Sequence, residues 1–202
     1  MIKNIVFDMG GVLIDLNIDR TLNEYFPEEL HTTIRENIFY SDSWKAMDRG
    51  NLRYEDAIPC MLKGIPEEHH ELLTRMITNF YPYMPPIKEM EGFITRLKKA
   101  GYKVYLLSNA SARFFDEYLN VPSLTMLDGF FISALYKMLK PEPQIYKAFC
   151  EKFSLKAEEC FFIDDLPQNI QGAIDCGMKG FVFDTRDFAG LEKALNEQNV
   201  IF

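Results

Sequence analysis

Lys3-Asn4-Ile5-Val6-Phe7-Asp8-Met9-Gly10-Gly11 combines a short apolar run, a carboxylate at its end and two glycines directly after it. This pattern predicts a buried strand over residues 3–8, followed by a tight turn. The apolar run is too short, and is interrupted too soon by Asp8, to serve as a signal peptide. We therefore expect Asp8 at the carboxyl end of the first strand of the fold.

Residues 86–202 alternate between strand and helix patterns. Four further apolar runs predict strands, at Tyr102–Leu107, Phe130–Ile132, Cys160–Ile163 and Phe181–Phe183, and Ser111–Leu119 is predicted to be a helix. Such alternation is typical of βαβ units and a parallel sheet. Residues 18–85 look helical, with no convincing strand. The sequence therefore predicts an α/β fold, in which a three-layer Rossmann-like core of residues 1–15 and 86–202 carries an inserted helical cap domain at 16–85.

Composition narrows the class of protein further. The 202 residues include 22 basic and 30 acidic side chains, for a formal net charge of −8, and 48% of them are apolar. Such a chain is not disordered, and its acidity disfavours nucleic acid as a partner. No stretch approaches the roughly 20 apolar residues of a membrane span. Four widely spaced cysteines predict buried free thiols in a reducing compartment: Cys60, Cys150, Cys160 and Cys176. We expect a cytoplasmic monomer or small homo-oligomer that binds neither a membrane nor nucleic acid.

Four polar motifs fall where the predicted sheet presents its ligand-binding edge, namely Asp8, Ser108-Asn109, Lys140-Pro141 and Asp164-Asp165. Three carboxylates at neighbouring strand ends cannot all stay ionised without compensating positive charge. Lys140 supplies one charge, and an all-oxygen set of ligands suits Mg²⁺. The hydroxyl of Ser108 and the amides after it can donate to phosphate oxygens. The sequence therefore predicts a phosphoryl-transfer site that contains magnesium.

In this order, the motifs resemble those of the haloacid dehalogenase superfamily: residues 7–13, Leu107-Ser108-Asn109, Lys140-Pro141 and Ile163-Asp164-Asp165. The helical insert resembles the cap of subfamily I, and the chain is most similar to bacterial α-glucose-1-phosphate phosphatases. The resemblance implies a Mg²⁺-dependent phosphatase that hydrolyses a small phosphorylated metabolite, such as a sugar phosphate, through an aspartyl-phosphate intermediate.

The resemblance also implies a role for each matching residue. Asp8 would be the nucleophile, and Lys140 would pair with both the nucleophile and the phosphate. Ser108 and Asn109 would bind the phosphate group. The metal ligands would be Asp8, the backbone carbonyl of Gly10, Asp164 and, directly or through water, Asp165. Asn169 stands where many relatives carry another acid, so it would support the metal site at most.

Gly10 departs from the family pattern, because most of these phosphatases carry a second aspartate there that protonates the leaving group and then activates water. General acid–base catalysis contributes about 10²–10⁴-fold. Three interpretations stay open. Asp15 or a cap acid such as Asp48 replaces the missing acid, the leaving group needs little protonation, or the protein is a non-catalytic phosphometabolite-binding or regulatory protein. The glucose-1-phosphate branch also carries glycine here, which favours an active phosphatase.

A 2-haloacid dehalogenase is the main alternative enzyme, because halide leaves without a proton and needs no acid at Gly10. The pair Asp164-Asp165 argues against it, since metal-free halide chemistry requires no such pair. A lid over the strand ends selects the substrate and excludes water. Trp44, Asp48 and Arg49 of the predicted cap are therefore the candidates for substrate selection.

Overall fold

A five-stranded parallel sheet with helices on both faces forms the core of the computed structural model, which describes residues 1–184 and 186–202. The strands are β1 (Asn4–Phe7), β2 (Lys103–Ser108), β3 (Gly129–Ile132), β4 (Cys160–Asp164) and β5 (Lys179–Val182). Their spatial order is β3-β2-β1-β4-β5, so β1 lies at the centre between β2 and β4. This arrangement confirms the predicted α/β class.

Eleven α-helices lie in the described part of the chain: α1 (Ile18–Tyr25), α2 (Glu28–Ile34), α3 (Asp42–Asp48), α4 (Tyr54–Met61), α5 (His70–Thr78), α6 (Glu89–Lys99), α7 (Phe114–Glu117), α8 (Pro122–Thr125), α9 (Pro143–Phe153), α10 (Pro167–Asp175) and α11 (Phe188–Glu197). None of these helices combines the length and the hydropathy needed to cross a membrane.

The two faces of the sheet carry separate apolar layers, because successive side chains of a strand point to opposite sides. Ile5 and Phe7 of β1 pack with α6 and α11, whereas Val6 packs with α9 and α10. Both layers are almost fully buried. Helix, sheet and helix thus form the predicted three layers, and the carboxyl ends of the strands stay open at one edge.

The helices between β1 and β2 have an apolar core of their own, which includes Leu22, Ile34, Met47 and Leu73. The chain leaves the sheet and returns to it at neighbouring points, since Ile14 forms an isolated bridge with Pro86. Both observations support an inserted cap at residues 16–85, a division that stays a prediction.

Two local expectations were wrong. Residues 111–119 do not form one helix, because α7 covers only Phe114–Glu117 and a 3₁₀ turn follows at Tyr118–Asn120. The residue before a proline avoids the helical conformation, and Val121 before Pro122 is extended.

The four cysteines are free, but only Cys160 is buried and Cys60 is exposed. Sequence analysis also missed α11, which covers one face of the sheet.

Candidate active site

Asp8 and Lys140 form the centre of the candidate site. Asp8 follows β1 directly, and its backbone N–H donates to the carbonyl of Ile163 in β4 at 2.8 Å. Lys140 Nζ lies 2.8 Å from Asp8 Oδ1, and only 1% of the lysine side chain is exposed. The Asp8 side chain keeps 11% of its surface exposed, so a small ligand can reach it. A buried cation at this distance stabilises the ionised form of Asp8.

The Asp164 carboxylate is occupied by protein donors. Its Oδ2 lies 2.6 Å from Lys140 Nζ and 3.1 Å from Asn169 Nδ2. Its Oδ1 accepts from the Leu166 backbone N–H and from Asn169 Nδ2, each at 2.9 Å. The side chain of Asp164 is fully buried. Asn169 therefore orients Asp164, and Asp164 in turn orients Lys140.

The neighbouring Asp165 is less engaged than Asp164. Within residues 1–184 and 186–202, no other residue donates a side-chain hydrogen bond to its carboxylate. Gly11 makes room for it, because a Cβ built on this glycine would lie 2.5 Å from Asp165 Oδ2. Gly11 also has a φ of 70°, which side chains disfavour. Both requirements explain why glycine stands at this position of the turn after Asp8.

The donor set fits a divalent cation. Asp8, Asp164 and Asp165 each offer a carboxylate oxygen, and these three oxygens lie within 4.8 Å of one another. Asp8 Oδ1, although close to Lys140, accepts no well-aligned hydrogen bond from the described residues. Mg²⁺ prefers such oxygen ligands and keeps some coordination positions for water or phosphate. Asp8 and Asp165 have the free capacity for a metal ion, since Asp164 already accepts several hydrogen bonds.

The site carries more negative charge than its lysine can compensate. Burial raises the pKa of Asp8 to about 6, because desolvation and the charge of Asp164 outweigh the attraction of Lys140. Burial and the charges of Asp8 and Asp164 raise the pKa of Asp165 to about 7. Burial opposes the charged form of Lys140, yet Asp164 and Asp8 still raise the pKa of Lys140 above its ordinary value. A bound divalent cation would relieve this repulsion.

Ser108 and Asn109 lie at the end of β2, next to the loop of Lys140. Asn109 Nδ2 donates to the carbonyl of Lys140 at 3.1 Å, and the Lys140 N–H donates to Asn109 Oδ1 at 2.8 Å. This reciprocal pair fixes the lysine loop to the sheet. Ser108 is buried beside it. The fold thus brings the predicted residues to one edge, which we call the sheet edge: Asp8, Ser108, Asn109, Lys140, Asp164 and Asp165. Their catalytic and ligand roles stay predictions.

Gly10 carries no acid, and a Cβ built at this position would lie 2.8 Å from Leu16 Cδ2, the end of an exposed side chain that can move aside. Asp15, one of the two carboxylates considered as a replacement acid, is paired with Arg20 and, at 2.6 Å, with Arg186. Burial opposes the ionised form, but hydrogen bonds from both arginines lower the pKa of Asp15 below its ordinary value. Asp15 is therefore held as a carboxylate and is a poor proton donor.

The segment Asp48-Arg49-Gly50, which we call the cap turn, lies against the core beside the sheet edge. Ser133 Oγ is 2.5 Å from the carbonyl of Asp48 and accepts from the Ala110 N–H at 2.9 Å. Arg49 Nη1 donates to Glu142 Oε2 at 3.2 Å. Sequence analysis missed Ser133 and Glu142, because single polar residues outside a motif give no signal of a contact made some 90 residues away in the chain.

An open cavity of about 650 Å³ adjoins Asp165 and Gly11. The turn after β1, the start of the helical insert and the loop after β5 line it, and most of the lining side chains are polar. These polar residues are Asp15, Asn17, Asp19, Asp184 and Arg186, and the apolar or aromatic ones are Leu16, Ile18, Tyr40 and Phe183. The cavity therefore suits a small polar molecule next to the acidic cluster.

Residues 2–177 match the haloacid dehalogenase-like hydrolase family. The chain belongs to this family. Among its relatives is a sesquiterpene phosphatase from Aspergillus oryzae, 28% identical over 181 residues and 88% of each chain. A D-ribitol-5-phosphate phosphatase from Bacteroides thetaiotaomicron is 26% identical over 196 residues, which cover 90% of this chain and 91% of the relative. (S)-2-Haloacid dehalogenases also occur among the relatives.

A solved structure supports the same fold. A family enzyme from Bacteroides thetaiotaomicron, crystallised with magnesium and inorganic phosphate, superimposes with a TM-score of 0.70. The match covers 95% of this chain and 99% of that enzyme at 22% sequence identity. The parallel sheet and the helices on both of its faces are thus those of the haloacid dehalogenase-like hydrolases.

Proposed function

We propose that this hydrolase is a Mg²⁺-dependent phosphatase of a small, polar phosphorylated metabolite. The observation that carries the proposal is the buried Lys140 between Asp8 and Asp164, with the carboxylate of Asp165 beside them. Nucleophile, cation and metal ligands are the parts that transfer of a phosphoryl group to a carboxylate requires.

The residues of the sheet edge would divide the work as follows. Asp8 attacks phosphorus and forms an aspartyl-phosphate, which water then hydrolyses. Lys140 and Ser108 bind the phosphate oxygens, and Asn109 holds the loop of Lys140. Asp8, the Gly10 carbonyl and Asp165 would hold the metal directly, while Asp164 and Asn169 keep Lys140 and the ligands in position. Bound Mg²⁺ would neutralise charge on the phosphate during transfer.

The polar cavity beside Asp165 supports a hydroxylated substrate, such as a sugar or polyol phosphate. Carboxylate, amide and guanidinium groups in its lining can each bind a hydroxyl group. The charged and amide side chains of this lining offer a terpenyl chain little apolar surface against which to bury itself, so the hydrophobic effect favours its binding less. D-Ribitol 5-phosphate, the substrate that one relative is named for, therefore suits this cavity better than a sesquiterpene substrate does.

A haloacid dehalogenase is the second candidate function, and the absence of an acidic side chain at Gly10 favours it. The acidic cluster favours the phosphatase, because displacement of a halide by Asp8 does not need a second and a third carboxylate at the site.

Phosphate and halide release by the purified protein test the proposal. The substrates are p-nitrophenyl phosphate, a panel of sugar and polyol phosphates, farnesyl phosphate and 2-chloropropionate, each with Mg²⁺ and with EDTA. We expect phosphate release that requires Mg²⁺, with the hydroxylated esters turned over faster than farnesyl phosphate. Halide release that persists in EDTA would instead identify a dehalogenase, and turnover of no ester would leave a binding protein.

A further inference from the structure

Within the proposed phosphatase reaction, we propose that Asp48 of the cap turn is the proton donor to the leaving group and the base that then activates water. The inference rests on the proposed function and concerns the step that Gly10 leaves without an acid. The structure joins the turn that carries Asp48 to the two loops that hold the phosphate-binding residues, and it excludes the two nearest alternatives.

The first alternative is residue 10 itself. Glycine has no side chain, so residue 10 has no group that could donate or accept a proton. The second alternative is Asp15, which two arginines hold in the ionised form. Neither position can therefore supply a proton to a leaving oxygen above Asp8.

Two contacts place the cap turn against the core. Ser133 Oγ bridges the carbonyl of Asp48 and the N–H of Ala110, two residues after Ser108. Arg49 binds Glu142, and Glu142 Oε2 in turn accepts from the N–H of Leu139, the residue before Lys140. The position of Asp48 is thus linked to both phosphate-binding loops.

Gly50 allows this close approach. A Cβ at Gly50 would lie 2.2 Å from the carbonyl oxygen of Ala134, and the φ of this glycine is 71°. Any side chain here would push the turn away from the core. The sequence therefore maintains a contact that holds the cap turn, and Asp48 with it, against the core beside the sheet edge.

The environment of Asp48 suits a proton donor. Burial and the negative charge of Asp8 raise the pKa of Asp48 well above its ordinary value, while the Trp44 side chain and Lys140 oppose this effect. Asp48 is also the last residue of α3, where the helix dipole disfavours a negative charge. The side chain is only partly buried, so a substrate can still contact it. An acid kept at a cost to stability beside a nucleophile is typical of functional groups.

The proposed steps balance. Asp8 forms a bond to phosphorus as the bond to the ester oxygen breaks, and that oxygen takes the proton of the Asp48 carboxyl group to leave as an alcohol. The Asp48 carboxylate then accepts a proton from water while the water oxygen attacks phosphorus. The bond between Asp8 and phosphorus breaks, which restores both aspartates and releases inorganic phosphate.

Leaving-group dependence tests the proposal, because an oxygen that departs easily needs little protonation. For Asp48→Asn, we expect kcat/KM for an alkyl ester, glycerol 1-phosphate or the best sugar phosphate, to fall by about 10²–10⁴-fold. The value for p-nitrophenyl phosphate should fall by less than about tenfold. Asp48→Glu should restore part of the alkyl-ester activity. Asp42→Asn, the same change at an exposed position of the same helix, should leave kcat/KM for both substrates unchanged.

A series of aryl phosphates provides a test that needs no variant. In the wild-type protein, kcat/KM should depend weakly on the pKa of the leaving phenol, whereas in Asp48→Asn the dependence should be steep. A steep dependence in the wild type, or an equal loss of both substrates in Asp48→Asn, would overturn the role of Asp48 and leave the phosphatase assignment intact. Absence of turnover for every ester in the wild type would instead refute the proposed function.

Discussion

The sheet edge and the cap turn face the same site but are held by different forces. At the sheet edge, Lys140 lies fully buried within 2.8 Å of two carboxylates, and the other residues lie at the carboxyl end of a strand or directly after it. The cap turn is held by Ser133 and by an ion pair between Arg49 and Glu142 whose side chains are about one-third exposed. Exposed pairs contribute little, about 0–1 kcal/mol. The charges of the sheet edge therefore form a buried network, whereas the ion pair of the cap turn is partly exposed and contributes little to stability.

The largest effect should come from Asp8, the proposed nucleophile at the sheet edge. Asp8→Asn should lower phosphate release by roughly 10⁴-fold or more, because the variant cannot form the phosphoenzyme. The fold should survive, since the change removes one of three crowded negative charges. Asp175→Asn, the same substitution at an exposed position on α10, is the matched control and should retain full activity. Retained activity in Asp8→Asn would exclude this residue as the nucleophile.

Removal of the metal should have the second-largest effect. It distinguishes the two regions, because only the sheet edge would bind the metal. EDTA should lower activity by at least about 100-fold. Mg²⁺ at 100 times its Kd should stabilise the folded protein by about 2.7 kcal/mol, and Asp165→Asn should lose most of this gain. Thermal unfolding with and without Mg²⁺ measures both, with Asp175→Asn as the control. A metal response that is unchanged in Asp165→Asn would contradict the proposed ligand set.

The lysine of the sheet edge should affect stability as well as activity. Lys140→Met leaves two buried carboxylates without their partner, so the free energy of unfolding should fall by about 3–5 kcal/mol. Lys98→Met removes a partly exposed lysine that pairs with Asp128 at 3.1 Å, and it should cost less than about 1 kcal/mol. Urea unfolding compares the two variants. Equal losses would show that the buried charges at the site are not tightly coupled.

The smallest effect should come from loosening the cap turn. Arg49→Gln removes the ion pair with Glu142 and should lower kcat/KM for alkyl esters by about threefold to tenfold through misplacement of Asp48. Its unfolding free energy should change by less than about 1 kcal/mol. Arg53→Gln, which alters an exposed cap arginine paired only with nearby acids, is the control. If both variants behave alike, the contact between Arg49 and Glu142 does not position the turn.

The same contrast explains what the sequence could predict. Asp8, Ser108 and Asp164 each stand in a local motif at the end of an apolar strand, and Lys140 stands in a motif that precedes a helix, so all four could be placed from short stretches alone. Parallel strands then bring them together, because their carboxyl ends share one edge. The different roles of Asp164 and Asp165 could not be predicted from the sequence, because they depend on which oxygens accept hydrogen bonds from Lys140 and Asn169.

The contacts of the cap turn could not be predicted in this way, because its partners are distant in the chain. Ser133 and Glu142 carry no motif, and their contacts with residues 48 and 49 exist only once the insert packs on the core. Asp15 and Asp48 were both candidates for the missing acid, and the structure separates them, because two arginines pair with Asp15 whereas burial and the charge of Asp8 raise the pKa of Asp48. Helix α11 was missed for a related reason. Its apolar face packs on the sheet, and this contact is between segments that are distant in the chain.

Trapping of the phosphoenzyme tests the central claim most directly. Wild-type protein is mixed with p-nitrophenyl phosphate and Mg²⁺, quenched with acid within the first turnover, digested and analysed by mass spectrometry. We expect a phosphoryl group on the peptide that contains Asp8. This modification should be absent from Asp8→Asn and from samples with EDTA. Release of p-nitrophenol and phosphate with no phosphoryl group on Asp8 at any quench time would contradict it.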